Sequence, residues 1–407
     1  MSPHLDGRLS RRRLIVGGAP FVAVALVSCD GGHSTHTGFT DLFSSPVPNA
    51  PPPTAPVAGG DMIGTGTVKV ALILPTSAGG QSGAIAQQLR NAGELALRNY
   101  TGANLQLILK DDGGTTEGGE KAASEAIAGG AQLIVGPLLA VSARGVAGPA
   151  RQAGVPVITF TTDTSVGAKG VYLISFLPGT DVERVIGFAA TQGRKSLAAI
   201  IPEDAFGAVT EAALRQSAAN HDIRIMAIER YKNDPTEMQT KAQSLGKLSN
   251  QIDCVFVPDQ AANAAQIVDA MVASGLDIKR VKVLGTGRWN DPSAFSLGSL
   301  NGAWFPAADP DLVNQFKAEY RAAFTTDPGP LAILGYEAVY LAAGLEHYSA
   351  GRKPFGDDNM LRRKGFLGKT GVFRFNPDGT SDRGLAVMEI NLGQVRVVSP
   401  APRDLGA

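Results

Sequence analysis

Short apolar runs alternate with amphipathic stretches along most of this chain. The first run spans Val68–Leu74, and the stretch that follows it carries apolar residues at Ile85, Leu89, Ala92 and Ala96. Spacings of four, three and four residues place these side chains on one face of a helix. Runs of this kind recur about every 25 to 35 residues, and this alternation predicts an α/β fold with parallel sheets.

Seven further strands and six further helices are predicted from the same pattern. The strands are expected at residues 105–109, 133–135, 155–160, 197–201, 223–228, 252–257 and 281–284, and the helices at 120–128, 142–153, 182–191, 208–219, 236–248 and 261–274. Many of these strands are apolar without alternation, which is typical of a parallel sheet covered by helices on both faces. About 330 residues share the pattern, which exceeds what one hydrophobic core usually supports, so we expect two lobes.

The first 67 residues differ in composition from the rest. Three arginines at 11–13 precede an apolar stretch at 14–27, which is too short to span a bilayer and ends in Leu-Val-Ser before Cys29. This arrangement predicts a lipoprotein signal peptide over 1–28 and a lipid on Cys29. The arginines fit a twin-arginine export signal and an ordinary one equally well. Residues 29–67 are rich in Pro, Gly, Ser and Thr and are predicted to form a disordered tether.

Charge, cysteine and histidine content exclude several functional classes. Lys+Arg 37 equals Asp+Glu 37, so nothing in the charge favours nucleic acid as a partner. Cys254, the one cysteine after Cys29, lies in an apolar run and is expected to be a buried, inert thiol. His221 and His347 show no catalytic or metal-binding spacing. The sequence therefore predicts no enzyme, no metal and no cofactor.

Loops at the carboxyl ends of the predicted strands carry the candidate binding residues. In an open parallel sheet these ends form the ligand crevice. Glycines in the loop 75–83 allow close backbone approach, and free N–H groups at the start of the next helix favour an anion such as a carboxylate. The hydroxyl candidates in these loops are Ser77, Ser82, Ser142, Thr161 and Thr162. The alternative is that these side chains only cap helices and turns.

Six segments occur in an order and spacing that resembles a known family. They are V-K-V-A-L-I-L-P-T-S-A-G-G-Q-S-G from Val68, G-A-Q-L-I-V-G-P-L-L-A-V-S ending at Ser142, G-V-P-V-I-T-F-T-T-D ending at Asp163, P-E-D-A-F-G at 202–207, L-G-Y-E-A-V-Y at 334–340 and G-V-F-R-F-N-P-D-G-T-S-D-R-G at 371–384. Together they resemble the type I periplasmic binding proteins, specifically the leucine-binding group, over residues 68–398.

This resemblance implies two Rossmann-like lobes with parallel sheets, joined by a three-segment hinge, and a ligand in the cleft between them. The first lobe is expected to comprise 68–180 and 306–349, and the second 181–305 and 350–398, with 399–407 as a tail. In leucine-binding relatives an acidic residue after a second-lobe strand meets the ligand ammonium. Arg288 stands near that position here, and an arginine repels an ammonium but binds a carboxylate or phosphate.

Four more residues are candidates by position in the implied fold. Asp204 and Asp259 follow second-lobe strands and are able to supply the missing negative charge. The resemblance places Tyr336 at a helix start beside the cleft, with core packing as the alternative. Trp289, next to Arg288, either stacks on a ligand or belongs to the core.

Two functions fit these features. The first is a membrane-anchored periplasmic lipoprotein that binds a small amino-acid-like ligand or small carboxylate and delivers it to an inner-membrane ABC-type permease. Asp30 after Cys29 resembles an inner-membrane retention signal of bacterial lipoproteins, so the inner membrane is slightly favoured over the outer one. The second function is an interaction module that resembles the lipoprotein activators of penicillin-binding proteins. The string Gly-Pro-Leu-Leu at 136–139, the long tether and the arginine at the ammonium position favour it. Solute binding is slightly preferred, and a sensor for a membrane receptor is a third alternative.

Overall fold

A computed structural model describes residues 62–232, 234–349 and 352–406. The predicted signal peptide, the lipidation site Cys29 and most of the predicted tether lie outside these residues. The described chain begins with a short strand, β1 (Met62–Ile63), which pairs antiparallel with β3 (Leu105–Asp111). Thr67 also donates its N–H to Asn104 Oδ1 at 2.8 Å. The prediction that the tether extends to residue 67 is therefore wrong at its end, because Met62–Ile63 adds a short edge strand to a sheet and Thr67 is hydrogen-bonded to Asn104.

The first lobe is built on a six-stranded sheet. Its other strands are β2 (Val68–Leu74), β4 (Leu133–Val135), β5 (Val157–Thr159) and β6 (Val171–Leu173). The order across the sheet is β1-β3-β2-β4-β5-β6, and every pair except β1 with β3 is parallel. Its helices are α1 (Gly80–Asn99), α2 (Thr116–Ala128), α3 (Ala140–Ala153), α9 (Pro310–Phe324) and α10 (Ala332–His347). The pattern predicted β2 to β5 but not β6.

The second lobe is built on a seven-stranded sheet. Its strands are β7 (Ser196–Pro202), β8 (Arg224–Tyr231), β9 (Cys254–Phe256), β10 (Lys282–Leu284), β11 (Trp304–Ala307), β15 (Ala386–Asn391) and β16 (Gln394–Ser399), in the order β16-β15-β11-β10-β9-β7-β8. β15 and β16 are antiparallel additions to a parallel core. Its helices are α4 (Pro178–Thr191), α5 (Ala205–Asn220), α6 (Pro235–Gly246), α7 (Ala261–Ala273) and α8 (Pro292–Phe295). Across the described ranges we find no helix with the length and apolarity that crossing a membrane requires.

A third, antiparallel sheet packs on the first lobe. It consists of β12 (Phe366–Gly368), β13 (Gly371–Phe375) and β14 (Ser381–Arg383), preceded by α11 (Asp357–Met360). Phe373 and Phe375 are two residues apart on one face of β13, and both are buried in the first-lobe core. The Phe375 ring lies 5.2 Å from that of Tyr172. Residues from Phe355 to Arg383 thus associate with the first lobe, whereas the sequence assigned 350–398 to the second.

The chain passes between the lobes three times, near residues 174–178, 307–310 and 383–386. The predicted α/β architecture of two lobes with parallel sheets is confirmed. The third passage lies about 35 residues later than the boundary at 349/350 expected from the sequence, because the third sheet is completed before the chain crosses. The expected tail begins at the last residue of β16, and its end packs on the third sheet, where Gly406 accepts a hydrogen bond from Arg374 of β13.

Helices α2 and α3 cross so closely that glycine is required at the contact. A Cβ added to Gly145 would lie 2.0 Å from the carbonyl oxygen of Thr116, whereas one added to Gly148 in the same helix would meet no atom within 4 Å. We expect Gly145→Ala to lower the free energy of unfolding by about 1–3 kcal/mol through overpacking. The matched control Gly148→Ala should raise it by about 0.5–1 kcal/mol, because alanine favours the helix. Urea unfolding of both variants measures the difference, and a neutral Gly145→Ala would show that the helices can separate freely.

Candidate functional site

A cavity of about 420 Å³ lies between the lobes, beside the three crossings. The first lobe supplies Thr162, Val313, Phe316, Lys317, Ile333 and the loop 328–330. The second lobe supplies Asp181, Phe206, Gly287, Arg288 and Asn290, and the crossings supply Phe176, Pro178, Leu385 and residues 306–308. Because both lobes line it, any change in the angle between the lobes changes the cavity.

Asp181 is the one carboxylate among the residues that line this cavity. It lies near the start of α4, just after the first crossing, and its Oδ2 accepts the N–H of Gly287 at 2.8 Å. Burial raises the pKa of Asp181 from 3.8 to about 7, and the hydrogen bond from Gly287 opposes this rise only in part. At neutral pH the Asp181 carboxyl group is therefore only partly ionised.

Arg288 supplies a stacked guanidinium group to the cavity. It sits in the turn after β10, and its guanidinium carbon lies 3.4 Å from the ring centroid of Phe206, at the start of α5. Among the residues that the structure describes, no carboxylate pairs with Arg288 or with Lys317 on the opposite lobe. The cavity thus carries two positive charges that are free to meet an anion.

The rest of the cavity wall is largely apolar. Phe176, Phe206 and Phe316 present aromatic rings, while Val313, Ile333, Leu385 and four prolines add aliphatic surface. A site with apolar walls and a few convergent polar groups is the usual form of a small-molecule pocket, and 420 Å³ lies in the normal size range.

Of the hydroxyl candidates, only Thr162 lines the cavity. Ser77 is exposed and donates its N–H to Asp111 Oδ1 at 3.0 Å, and Ser82 lies in the first turn of α1. Ser142 is fully buried in α3 and lies outside the cavity lining. Thr161 is buried and accepts the N–H of Asp163 at 3.1 Å. These four side chains are held in local structure outside the cavity.

Neither carboxylate proposed to supply negative charge reaches the cavity lining. Asp204 caps α5 by accepting the N–H of Gly207 at 2.7 Å. Asp259 is buried and accepts hydrogen bonds from the Tyr231 hydroxyl, the Gln260 N–H and the Asn263 amide. Both carboxylates are therefore committed to structural contacts within the second lobe.

The two aromatic candidates belong to the hydrophobic cores. Tyr336 is buried in the first lobe and stacks on Tyr340, with 5.4 Å between ring centroids. Trp289 is fully buried in the second-lobe core and donates its ring N–H to the carbonyl oxygen of Asp259 at 2.9 Å. Core packing, the alternative considered for each, describes both positions.

Among the cavity residues that sequence analysis missed are Asp181, Phe206, Phe316 and Lys317. Phe206 lies in the P-E-D-A-F-G segment that carried the family resemblance, so the sequence did contain a signal that pointed to it. Phe316 and Lys317 lie on α9, whose amphipathic pattern does not tell which neighbouring surface it faces.

The described residues do not favour metal binding or thiol chemistry. They contain no group of three or more His, Cys, Asp or Glu side chains placed to hold a metal ion. The Cys254 thiol is fully buried, and burial raises its pKa to about 12, which agrees with the prediction of an inert thiol.

Residues 67–394 match a family model described as periplasmic binding protein. The chain belongs to the periplasmic binding protein family. This confirms the resemblance to type I periplasmic binding proteins, and it agrees with the expectation that the protein is not an enzyme, because members of the family bind solutes. No curated protein sequence matches this periplasmic binding protein.

Solved structures show the same fold at low sequence identity. An ABC transporter substrate-binding protein from Sphaerobacter thermophilus aligns with a TM-score of 0.64 and 18% identity, covering 83% of this chain and 98% of that one. One from Desulfitobacterium hafniense, in complex with Leu, has a TM-score of 0.59 and 17% identity, covering 81% and 99%. A solute-binding protein of an ABC transporter from Rhodopseudomonas palustris BisB5, in complex with 3,4-dihydroxybenzoic acid, has a TM-score of 0.58 and 22% identity, covering 84% and 98%.

Proposed function

We propose that this periplasmic binding protein captures a small carboxylate-bearing solute, of the amino-acid type in size, and delivers it to an ABC-type permease in the inner membrane. The observation that carries the proposal is the cavity between the lobes, in which Arg288 and Lys317 lack carboxylate partners among the described residues. The ligands named for the D. hafniense and R. palustris proteins, Leu and 3,4-dihydroxybenzoic acid, each carry a carboxyl group. Delivery to a permease follows from the family and from the kind of transporter to which these similar proteins belong.

Ligand-driven closure is the mechanism that this arrangement supports. Phe316 and Lys317 come from the first lobe and Arg288 from the second, so a solute touches both sets only when the cleft is closed. A solute held by both lobes binds the closed state more tightly than the open one, and this difference in affinity shifts the population toward closure. A permease that recognises the closed state would then receive loaded protein in preference to empty protein.

We also propose that the mature protein is a lipoprotein, anchored through Cys29 and facing the periplasm, with the inner membrane as its site. Support comes from the arginines and the apolar stretch before Cys29, and from Asp30 after it. One acyl chain gives only marginal membrane binding, so stable anchoring requires more than one.

The alternative function, activation of a penicillin-binding protein, rests on the tether and on the Gly-Pro-Leu-Leu string at 136–139. In the structure Leu138 is part of the first-lobe core, and Leu139 packs against it. The string is therefore a packing element rather than an exposed recognition motif. The amphipathic cavity favours solute capture over this alternative.

A screen of the purified protein against amino acids, small carboxylates and cell-wall fragments tests the proposed function. A ligand at 100 times its dissociation constant should add about 2.7 kcal/mol to the free energy of unfolding, visible as a rise in Tm. Arg288→Met should weaken carboxylate binding by about 1.5–3 kcal/mol, which is roughly 10- to 150-fold in Kd. Arg151→Met, at an exposed position at the end of α3, is the control and should bind normally. If the folded protein shows no rise in Tm with any compound of the panel, this result would contradict solute binding and favour a protein partner.

A further inference from the structure

The charges that line the cavity do not match an α-amino acid. An amino acid brings a carboxylate and an ammonium group, and burying the ammonium without an anionic or carbonyl partner is costly. The cavity supplies two cations, Arg288 and Lys317, but only one carboxylate, Asp181. Oδ2 of that carboxylate already accepts the N–H of Gly287, and its raised pKa leaves it partly protonated at neutral pH. Asp204 and Asp259 are committed elsewhere in the second lobe.

The geometry of Arg288 suits a planar anion. Its guanidinium group lies over the face of Phe206 at 3.4 Å, which restricts its orientation. Among the described residues no hydrogen-bond acceptor occupies its N–H groups. A stacked guanidinium keeps its N–H edge available, and that edge fits both oxygens of a carboxylate at once.

The apolar part of the wall suits a ring-bearing body. Phe176 and Phe316 join Phe206, and proline rings at 178, 306, 328 and 330 form much of the remaining surface. Aromatic rings and prolines offer flat faces, against which a flat ligand packs more closely than a branched polar one. Polar groups able to bind a sugar or a peptide backbone are few in this lining, with Thr162 and Asn290 as examples.

From these three features we infer that the solute is an organic carboxylate with a flat, apolar, ring-bearing body and no ammonium group, bound through Arg288 stacked on Phe206. This inference rests on the proposed function, because it specifies the ligand of the same cavity. It departs from the amino-acid ligand that the leucine-binding resemblance implies.

Matched ligand pairs test the inference by isothermal titration calorimetry at pH 7.5. The pairs are 3-phenylpropanoate with L-phenylalanine and 4-methylpentanoate with L-leucine, in which each member differs from the other only by the ammonium group. We expect each acid without the ammonium group to bind at least tenfold more tightly than its amino acid, and the phenyl acid to bind more tightly than the branched one. Equal or tighter binding of the amino acids would overturn the inference while leaving solute capture intact. Absence of binding by all four compounds would overturn the inference. If no compound of the wider screen binds either, the proposed function is overturned as well.

Two variants test whether binding needs the planar guanidinium group of Arg288 stacked on Phe206 or only a positive charge at that position. Arg288→Lys keeps the charge but loses the planar group, and Phe206→Leu keeps an apolar side chain but loses the ring. We expect the first to weaken 3-phenylpropanoate binding at least tenfold and the second several-fold. Phe295→Leu, at a half-buried ring of the second-lobe core outside the cavity, is the matched control and should bind as the wild type does. Full affinity in Arg288→Lys would show that binding does not use the planar guanidinium group.

Discussion

Replacing Arg383 by methionine is expected to lower the free energy of unfolding by about 3–5 kcal/mol, because it removes one partner of a buried ion pair. The side chains of Arg383 and Glu337 are 2% and 0% exposed, and Arg383 Nη1 lies 2.9 Å from Glu337 Oε2. Methionine fills a similar volume but leaves the Glu337 carboxylate buried without its cation.

The same group holds the three crossings together, which is why its loss should affect the whole molecule. Arg383, Glu337 and Thr370 form what we call the hinge cluster. Arg383 donates to the carbonyl oxygens of Ile174 and Ser175 in the first crossing, and Thr370 accepts the N–H of Asp309 in the second. Thr370 also donates its N–H and hydroxyl to Glu337 at 2.8 and 2.6 Å. Arg383 itself begins the third crossing.

Urea unfolding of Arg383→Met beside two companion variants provides the measurement. Arg396→Met removes an arginine whose side chain is 62% exposed in its pair with Glu389, and it should cost less than about 1 kcal/mol. The double variant Arg383→Met with Glu337→Met should recover part of the loss, because it removes the unpaired buried charge as well. A loss in Arg383→Met no larger than in Arg396→Met would show that the hinge cluster contributes little to stability.

The substitution Asp181→Asn is expected to stabilise the ligand-free protein at pH 8 by up to about 4 kcal/mol. Burial raises the folded-state pKa of Asp181 from 3.8 to about 7, and a difference of about three in pKa corresponds to this free energy at 1.36 kcal/mol per pH unit. A carboxyl group with a raised pKa contributes its stability below the unfolded pKa and loses it as the pH rises through the folded one. Asparagine avoids that loss and keeps an oxygen for the N–H of Gly287.

The predicted gain must therefore depend on pH between 5 and 8. Unfolding by urea at both values should show Asp181→Asn gaining much more at pH 8 than at pH 5. Asp291→Asn is the control, because hydrogen bonds from Ser293 lower the pKa of Asp291 and its carboxyl group is ionised throughout this range. Its effect should be the same at both pH values. An equal gain for Asp181→Asn at pH 5 and pH 8 would show that Asp181 titrates normally.

Many strands and helices could be predicted from the local pattern of apolar residues, but the lobe to which each element belongs could not. The apolar run at β2 and the helical spacing of Ile85 and Leu89 depend on neighbouring residues alone, and the structure has a strand and a helix there. The resemblance placed residues 350–398 in the second lobe, but the third sheet within that range packs on the first-lobe core. Alternation at Phe373 and Phe375 is typical of a buried strand face and does not indicate which core buries it. Arg383 and Ile174 are 209 residues apart in the chain, and no local pattern relates them.

By itself the sequence determined the family and the two-lobed α/β architecture, because motif order and apolar period are properties of the chain. The tertiary structure decided which polar residues face the cleft. It left Thr162 and Arg288 in the cavity, turned Asp204 and Asp259 into structural groups, and brought Asp181 to the cavity wall. The physical reason is that a hydroxyl or carboxylate serves equally well as a cap or as a ligand group, and only its surroundings after folding set its hydrogen bonds, its burial and its pKa.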